Sequence, residues 1–478
     1  MESIATRTSR DVGGSLAFEG GRAAAVRSTR SPKTSPLIPI FVFALAMPIH
    51  FYLGPTRLSP YRLVLVLTFI PCLVAWLSGS VGRIRLPDIL MLLAATWGAV
   101  ILVSTRGVDE GLQSAGIFVI ETLGTFLFAK RYIRDVFSFQ RMVSALVLMV
   151  LFLLPFAIYE NVTGSPILIE LFGKIFSVYG IADSEPRFGL RRAQGPFEHF
   201  ILFGVVCSSV FALSFYVFGS TRRGGRLATG CVAMAVLSSL SAGAFLSVAV
   251  QTILIVWDKV TASVARRWGI LAAVVIAAYI VVSFSSNRSP FIVFISYLTL
   301  NTDNAYIRVI IWNYGMQSVM QHPIFGLGFG DWDRPDWLGG SMDNFWLVTA
   351  VRYGIPGFLF TAGGCLSVCF GLGRLRNVSF QVAQCRKGLI ITVCGLAFAA
   401  CTVHLWDAPY VLFIFLLGSG MWMFEQPNSP ALFAAHNAQS HSPRSVWGGS
   451  EARSNGPDDP ASWPGRMATR RRRLTRKA

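Results

Sequence analysis

The chain has 478 residues, 53% of them hydrophobic and only 14% charged, with a mean hydropathy of +0.55 and a formal net charge of +18. That balance excludes a soluble globular domain and indicates an all-α polytopic membrane protein. The positive charge does not read as nucleic-acid binding, because Lys and Arg gather between apolar runs and in the two tails.

Residues 1–35 are polar and rich in Ser, Thr, Gly and Arg, and are expected to be a disordered cytoplasmic tail. The first apolar run, Leu37 to Leu53, lacks a clear cleavage signature and reads as a retained span. Apolar runs then follow at about 61–78, 88–104, 112–129, 141–158, 199–218, 228–241, 243–257, 269–285, 345–371, 388–404 and 409–424. Each approaches the length that crosses about 30 Å of hydrocarbon. The total is about twelve if Ser238-Ser239-Leu240-Ser241 breaks the region 228–257 into a hairpin. With the N-terminus inside, the connections holding Arg83 and Arg85, Lys130 and Arg131, Arg222, Arg223 and Arg226, and Arg374 and Arg376 all fall on the cytoplasmic side. The membrane domain therefore covers 36–425, and 426–478 is a disordered basic tail whose Arg470–Arg473 run suits anionic lipid. Two long outer segments remain, 159–198 and 286–344, and segments of that length in a compact protein are usually functional.

The first outer segment ends in Arg187, Arg191, Arg192, Gln194, Gly195, Glu198 and His199. Arginines on the arginine-poor side of a membrane call for an anionic partner, and guanidinium matches phosphate bidentately. The plainer reading is snorkelling to lipid head groups. In the second segment Arg308 lies on the polar side of an amphipathic stretch, followed by His322, Gly326, Gly328 and Gly330. Alternating glycines allow a backbone to approach closely beneath a substrate. Asp343 stands at the mouth of the span that begins near Phe345, where it serves as general base or as helix N-cap. Gly354 and Gly357 permit close helix approach. Within spans, Glu121 and Arg352 are ionisable and could pair with each other or line a cavity. His404 and Asp407 flank a short outer turn and read as solvated, and His50 as interfacial. The eight cysteines lie in apolar runs or among basic residues, so no disulfide or metal cluster is expected, and Cys365 and Cys369 read as helix packing.

Taken together, Arg191/Arg192-Ala-Gln-Gly195-Pro-Phe-Glu198-His199, Arg308 to Trp312, Pro323 to Gly330, and Asp343-Asn344 with Gly354 and Gly357 resemble the O-antigen ligase and polysaccharide polymerase superfamily of bacterial inner-membrane glycosyltransferases. The resemblance spans roughly 185–360 by motif. It implies a polyprenyl-diphosphate-linked glycan as donor, chemistry on the periplasmic side, and no cofactor or metal. It also implies that outer arginines hold the diphosphate, here Arg308 with Arg191 or Arg192. In ligases a histidine occupies the position of Asp343, and an arginine follows the serine that here is Ser241, followed instead by Ala242. Those departures point toward a polymerase of exopolysaccharide or O-antigen-like chains over a ligase.

On this reading Asp343 and Arg308 are catalytic, and Arg191, Arg192 and Arg308 bind diphosphate. Glu198, His199, Asn344, His322, Gly326, Gly328, Gly354 and Gly357 are accessory. Partners are the lipid-linked glycan, membrane lipids and other export or flippase components. A lipid-linked-oligosaccharide transporter is the rival class and expects ionisable groups at mid-membrane with a repeated half. A non-catalytic scaffold is the third, and it tolerates loss of the outer arginines.

Overall fold

The structure, a computed structural model, describes residues 35–425 apart from 55, 184, 220–222, 288–289, 291 and 294–301. Both expected tails, with Arg470–Arg473, and Arg222 lie outside the described residues. The molecule is mostly helical. Among the described residues nine helical stretches are long and apolar enough to cross a membrane, and the apolar helix Gly224–Ser238 is shorter. The first expected span is corrected. Its helix α1 covers only Leu37–Leu45, and Ile49–Leu53 is a strand (β1). Nine residues rise only about 14 Å.

β1 pairs antiparallel with β2 (Thr56–Leu58), and on its other edge with β3 (Ser177–Val178) from the segment 159–198. This small sheet ties that segment to the entry of α2 (Pro60–Leu77) and brings Arg57 to 4.9 Å from the Tyr179 ring. α3 (Leu86–Val119) contains Gly107 at φ 78 and ψ 177, where the chain doubles back. A side chain at Gly111 would sit 2.7 Å from the Leu102 carbonyl oxygen, so the halves 86–106 and 108–119 run as a hairpin. The second half continues through a π-helix, Ile120–Gly124, into α4 (Thr125–Tyr132).

α5 (Val136–Thr163), α6 (Ile167–Gly173) and α7 (Phe200–Val217) follow. The expected break appears between α8 (Arg223–Ser238) and α9 (Ala242–Val260), where Leu240 takes a positive φ of 46. α10 (Arg267–Ser285) has no buried residue and stands at the edge. α11 (Thr302–Gln321) lies inside the long segment 286–344.

The expected single span at 345–371 is broken. α12 (Phe345–Gly373) contains Gly354 at φ 69 and ψ 179. Trp346 and Phe358 would lie about 18 Å apart along a straight helix, yet their ring centroids are 6.2 Å apart. The two halves are therefore folded sharply together. α13 (Phe380–Ala399) and α14 (Asp407–Ser419) complete the bundle. Every residue from Ala408 to Ser419 is buried, which makes α14 the central helix and fixes Asp407 at its first turn.

Candidate functional site

Two cavities meet beside the start of α14. One, of about 290 Å³, is lined by Arg62, Glu121, Arg352, Tyr353, His404 and Asp407 among others. The other, of about 420 Å³, takes in Trp332, Gly340, Ser341 and Met342. Phe329, Val348, Arg352, His404 and Trp406 line both, so the two are parts of one cleft.

Of the two arginines that line the first cavity, Arg62 is neutralised. Arg62 Nε donates to Glu121 Oε1 at 2.7 Å, and its Nη2 donates to Asp407 Oδ1 at 2.7 Å. Tyr61 donates its hydroxyl to the same Glu121 oxygen at 2.9 Å, and Arg57 donates to Asp407 Oδ2 at 2.8 Å. Glu121 sits in the π-helix, a rare local widening that recurs at functional sites. Asp407 adopts φ 50, a strained value for a residue with a side chain, and the two arginines hold it there. Of the two expected arrangements, Glu121 and Arg352 both line the cavity, and Glu121 pairs with Arg62 and not with Arg352. Asp407 is a paired group and not a solvated one.

Arg352 is the other arginine. Its guanidinium lies 5.0 Å from the Phe329 ring, which also carries Arg106 at 4.9 Å, and it makes no ion pair among the described residues. It is placed by the break at Gly354. Leu327 and Gly328 donate their N–H groups to the carbonyls of Val351 and Arg352 at 2.8 and 2.9 Å, and Ile355 donates to Pro323 O at 2.7 Å. A Cβ at Gly354 would come within 2.0 Å of Ile324 O, and one at Gly326 within 2.6 Å of the Arg352 backbone. The alternating glycines, Gly326 and Gly328 at φ 65 and 60, therefore allow the loop to close against a broken helix end. Gly354 admits that loop and does not serve a helix crossing. Gly357 packs against Tyr353 and Trp97.

His404 is half-buried, and desolvation with the nearby Arg352 pushes its imidazole down to about 3, so it is neutral. Its Nδ1 is buried without a hydrogen bond. The expectation of a solvated histidine fails because Trp406 stacks on it at 5.6 Å and Phe345 at 6.4 Å. From Trp406 the contacts run on to His199 at 6.3 Å, and Trp406 Nε1 donates to Glu198 Oε2 at 2.9 Å. His199 caps α7 by accepting from Ile201 N, and burial beside Arg192 pushes it down to about 4. Arg192 stacks over Phe200 at 3.3 Å, and burial with Arg187 nearby pushes it down to about 9. Its buried Nε has no acceptor.

Arg308 and Asp343 meet in a separate crevice of about 10 Å³ with Asn344 and Trp312. The helix cap is Asn344, whose side chain accepts from Leu347 N at 3.0 Å, so Asp343 is free of that duty. Burial holds its carboxyl above the usual range against the pull of Arg308 and a hydrogen bond with Ser341. Burial lowers Arg308, Asp343 opposes that, and Arg187 adds to it. The buried Nε of Arg308 also lacks an acceptor.

Other expected residues lie apart. Arg191 is exposed and rests against Gly164, and His322 is exposed on the loop after α11. The motif around Gln194 has a structural task. Glu160 accepts from the N–H groups of Gln194 and Gly195, while Ala193 N–H and Asn161 Nδ2 donate to Ser238 O.

Arg57, Arg62, Tyr61 and Trp406 were not among the expected site residues. A signal existed for the two arginines. In the orientation read from the sequence they fall in or beside the connection 54–60 on the arginine-poor side.

Residues 208–362 match the family model described as O-Antigen ligase. The match takes in Arg308, Asp343, Arg352 and Gly354, while Arg191, Arg192, Glu198 and His199 precede it. It supports the resemblance to the O-antigen ligase superfamily and an O-antigen ligase-type membrane enzyme. No curated protein matches the chain significantly.

Proposed function

We propose that this protein is a polysaccharide polymerase of the bacterial inner membrane. It takes a glycan from a polyprenyl-diphosphate-linked donor at the periplasmic face and joins it to a hydroxyl of a second repeat unit. The observation that carries the reading is a set of arginines with no ion pair among the described residues: Arg352 in the cleft, Arg192 beside His199, and Arg308 in the crevice with Asp343, the last two with buried, unbonded Nε atoms. A buried donor left unpaired costs about 1–3 kcal/mol, so such a set favours an anion that completes it. A diphosphate ester supplies that anion, and its departure is eased where guanidinium groups already stand.

In the reaction the bond from the anomeric carbon to the diphosphate oxygen breaks, and the electron pair leaves with the lipid diphosphate. The acceptor oxygen forms the new bond from the opposite side, with inversion, and its proton passes to Asp343. Glu121 and Asp407 are poor bases because Arg62 and Arg57 already occupy them. Asp343 has the raised carboxyl a base needs, and Ser341 links it to the cleft. A second base, His404, is favoured by its neutral ring and unbonded Nδ1.

The test is the size distribution of glycan in cells lacking the protein, complemented with wild type or Arg308→Ala. Single repeat units accumulating on lipid mark a polymerase. Long lipid-linked chains that fail to reach their acceptor mark a ligase. Unchanged lipid-linked glycan in the deleted strain refutes both, and full activity of Asp343→Asn removes Asp343 from the base role.

A further inference from the structure

The 420 Å³ part of the cleft adds Trp332 to the aromatic residues Phe329 and Trp406 that it shares with the part next to it. Its walls are Trp406, Trp332, Phe329, the Ser341 hydroxyl and the backbone of Gly330 and Gly340, with Asp331 and Arg352 as its charged members. Its volume falls in the range of about 300–1,000 Å³ in which small-molecule sites are built from aromatic walls with a few placed polar groups. Aromatic faces with hydroxyl and backbone groups between them match a sugar ring, which has apolar C–H faces and a rim of hydroxyls.

The aromatic walls are also braced. Trp332 Nε1 donates to Gly340 O at 3.1 Å, and Arg334 Nε donates to Leu338 O at 2.9 Å, which pins the loop 331–340 across its own width. Trp406 is half-buried, stacked on His404, and its indole N–H is held by Glu198 at 2.9 Å. Glu198 in turn stands 4.0 Å from Arg57. Side chains fixed before a ligand arrives lose little freedom when it binds.

We infer that the space between Trp406 and Trp332 is the acceptor saccharide subsite, and that Glu198 is a positioning residue which acts through Trp406. The inference rests on the transferase reading for the word acceptor, and on the geometry alone for the saccharide. It assigns Glu198, expected as an accessory residue, the role of hydrogen-bond acceptor for the Trp406 indole. Arg352 and Ser341, the partner of Asp343, both line the subsite. An acceptor hydroxyl held there is flanked by the donor's anion site and a candidate base.

The experiment is direct binding, without turnover. The full chain in lipid nanodiscs is titrated with the repeat-unit oligosaccharide released by mild acid from the lipid-linked glycan of the producing cells, labelled at its reducing end. Wild type binds saturably. Trp406→Ala and Glu198→Ala weaken binding at least tenfold, and Glu198→Gln, which still accepts from the indole, stays within about threefold of wild type. Glu198 is 40% exposed at its side chain, so its variants test the idea even if Trp406→Ala fails to fold. Absence of wild-type binding overturns the subsite, as does a Glu198→Ala chain that binds like wild type. So does a Glu198→Gln chain as weak as Glu198→Ala. If the oligosaccharide binds while deletion leaves cellular glycans unchanged, transfer is refuted and the saccharide site stands. If deletion alters the glycans but binding is absent, the reverse holds.

Discussion

Arg62 and Arg352 line the same cavity, and everything around them differs. Arg62 is bonded to two carboxylates, each at 2.7 Å, while Arg352 has an aromatic ring, a second arginine and no ion pair among the described residues. A guanidinium in a low-dielectric setting is costly unless neutralised. The first is neutralised by the fold and so belongs to the fold. The second has no counter-charge among the described residues, so an anion bound there would supply one. The comparison separates two kinds of arginine that look alike in the sequence.

The largest effect expected from breaking the comparison is on Arg62. Replacing it with Ala leaves Glu121 buried without its cation, and removing one partner of a buried pair costs about 3–5 kcal/mol. The melting temperature of the detergent-solubilised chain should fall steeply. A double change, Arg62→Met with Glu121→Gln, recovers much of it, because no charge is then stranded. A small loss in Arg62→Ala alone would mean that water, not Arg62, stabilises Glu121.

The second effect is on activity. Arg352→Ala removes a cation with no structural partner, so stability should hold or rise slightly. Transfer should fall about 10²–10³-fold, the usual consequence of removing one group that stabilises developing negative charge. Arg352→Lys recovers only part, because the planar fork that matches a diphosphate is lost. If Arg352→Ala melts like Arg62→Ala while transfer persists, the division between fold charge and ligand charge is wrong.

Much of the architecture was legible from the sequence. The apolar runs after the first fall on helices, and Ser238 to Ser241 does break the mid-chain pair, since hydropathy and small polar breakers report membrane helices directly. The bends were not legible. Gly107 and Gly354 adopt nearly the same backbone angles, but a lone glycine does not announce whether a helix continues or doubles back. Arg308, Asp343 and Arg352 stood out because charge is rare in such a chain. Their partners did not, because Arg62 meets Glu121 and Asp407 across 59 and 345 residues of sequence, and that pairing is fixed only by packing. Asn344 and Asp343 show the same limit locally. Either could cap a helix, and only the backbone decides which one turns inward.

His404 offers the finest test, because its ring senses whether Arg352 is really uncompensated. Burial, with Arg352 adding to it, pushes His404 from its ordinary 6.5 down to about 3. Between those values the unfolded chain binds a proton that the folded chain refuses, so stability falls as pH falls below about 6.5 and the loss is complete near pH 3. At pH 5 this one group removes about 2 kcal/mol. The melting temperature should therefore drop between pH 7 and pH 5, and the drop should shrink in His404→Gln. It should shrink by a smaller amount in Arg352→Ala, where burial remains and the neighbouring charge is gone. Inorganic diphosphate added to wild type should act in the same direction, since an anion beside Arg352 restores the ring's affinity for a proton. That response links the unpaired Arg352 to the base candidate next to it: donor binding would make His404 a better proton acceptor at the moment one is needed. A pH dependence identical in wild type, His404→Gln and Arg352→Ala would show that the charge on Arg352 is already balanced, and the contrast with Arg62 would collapse.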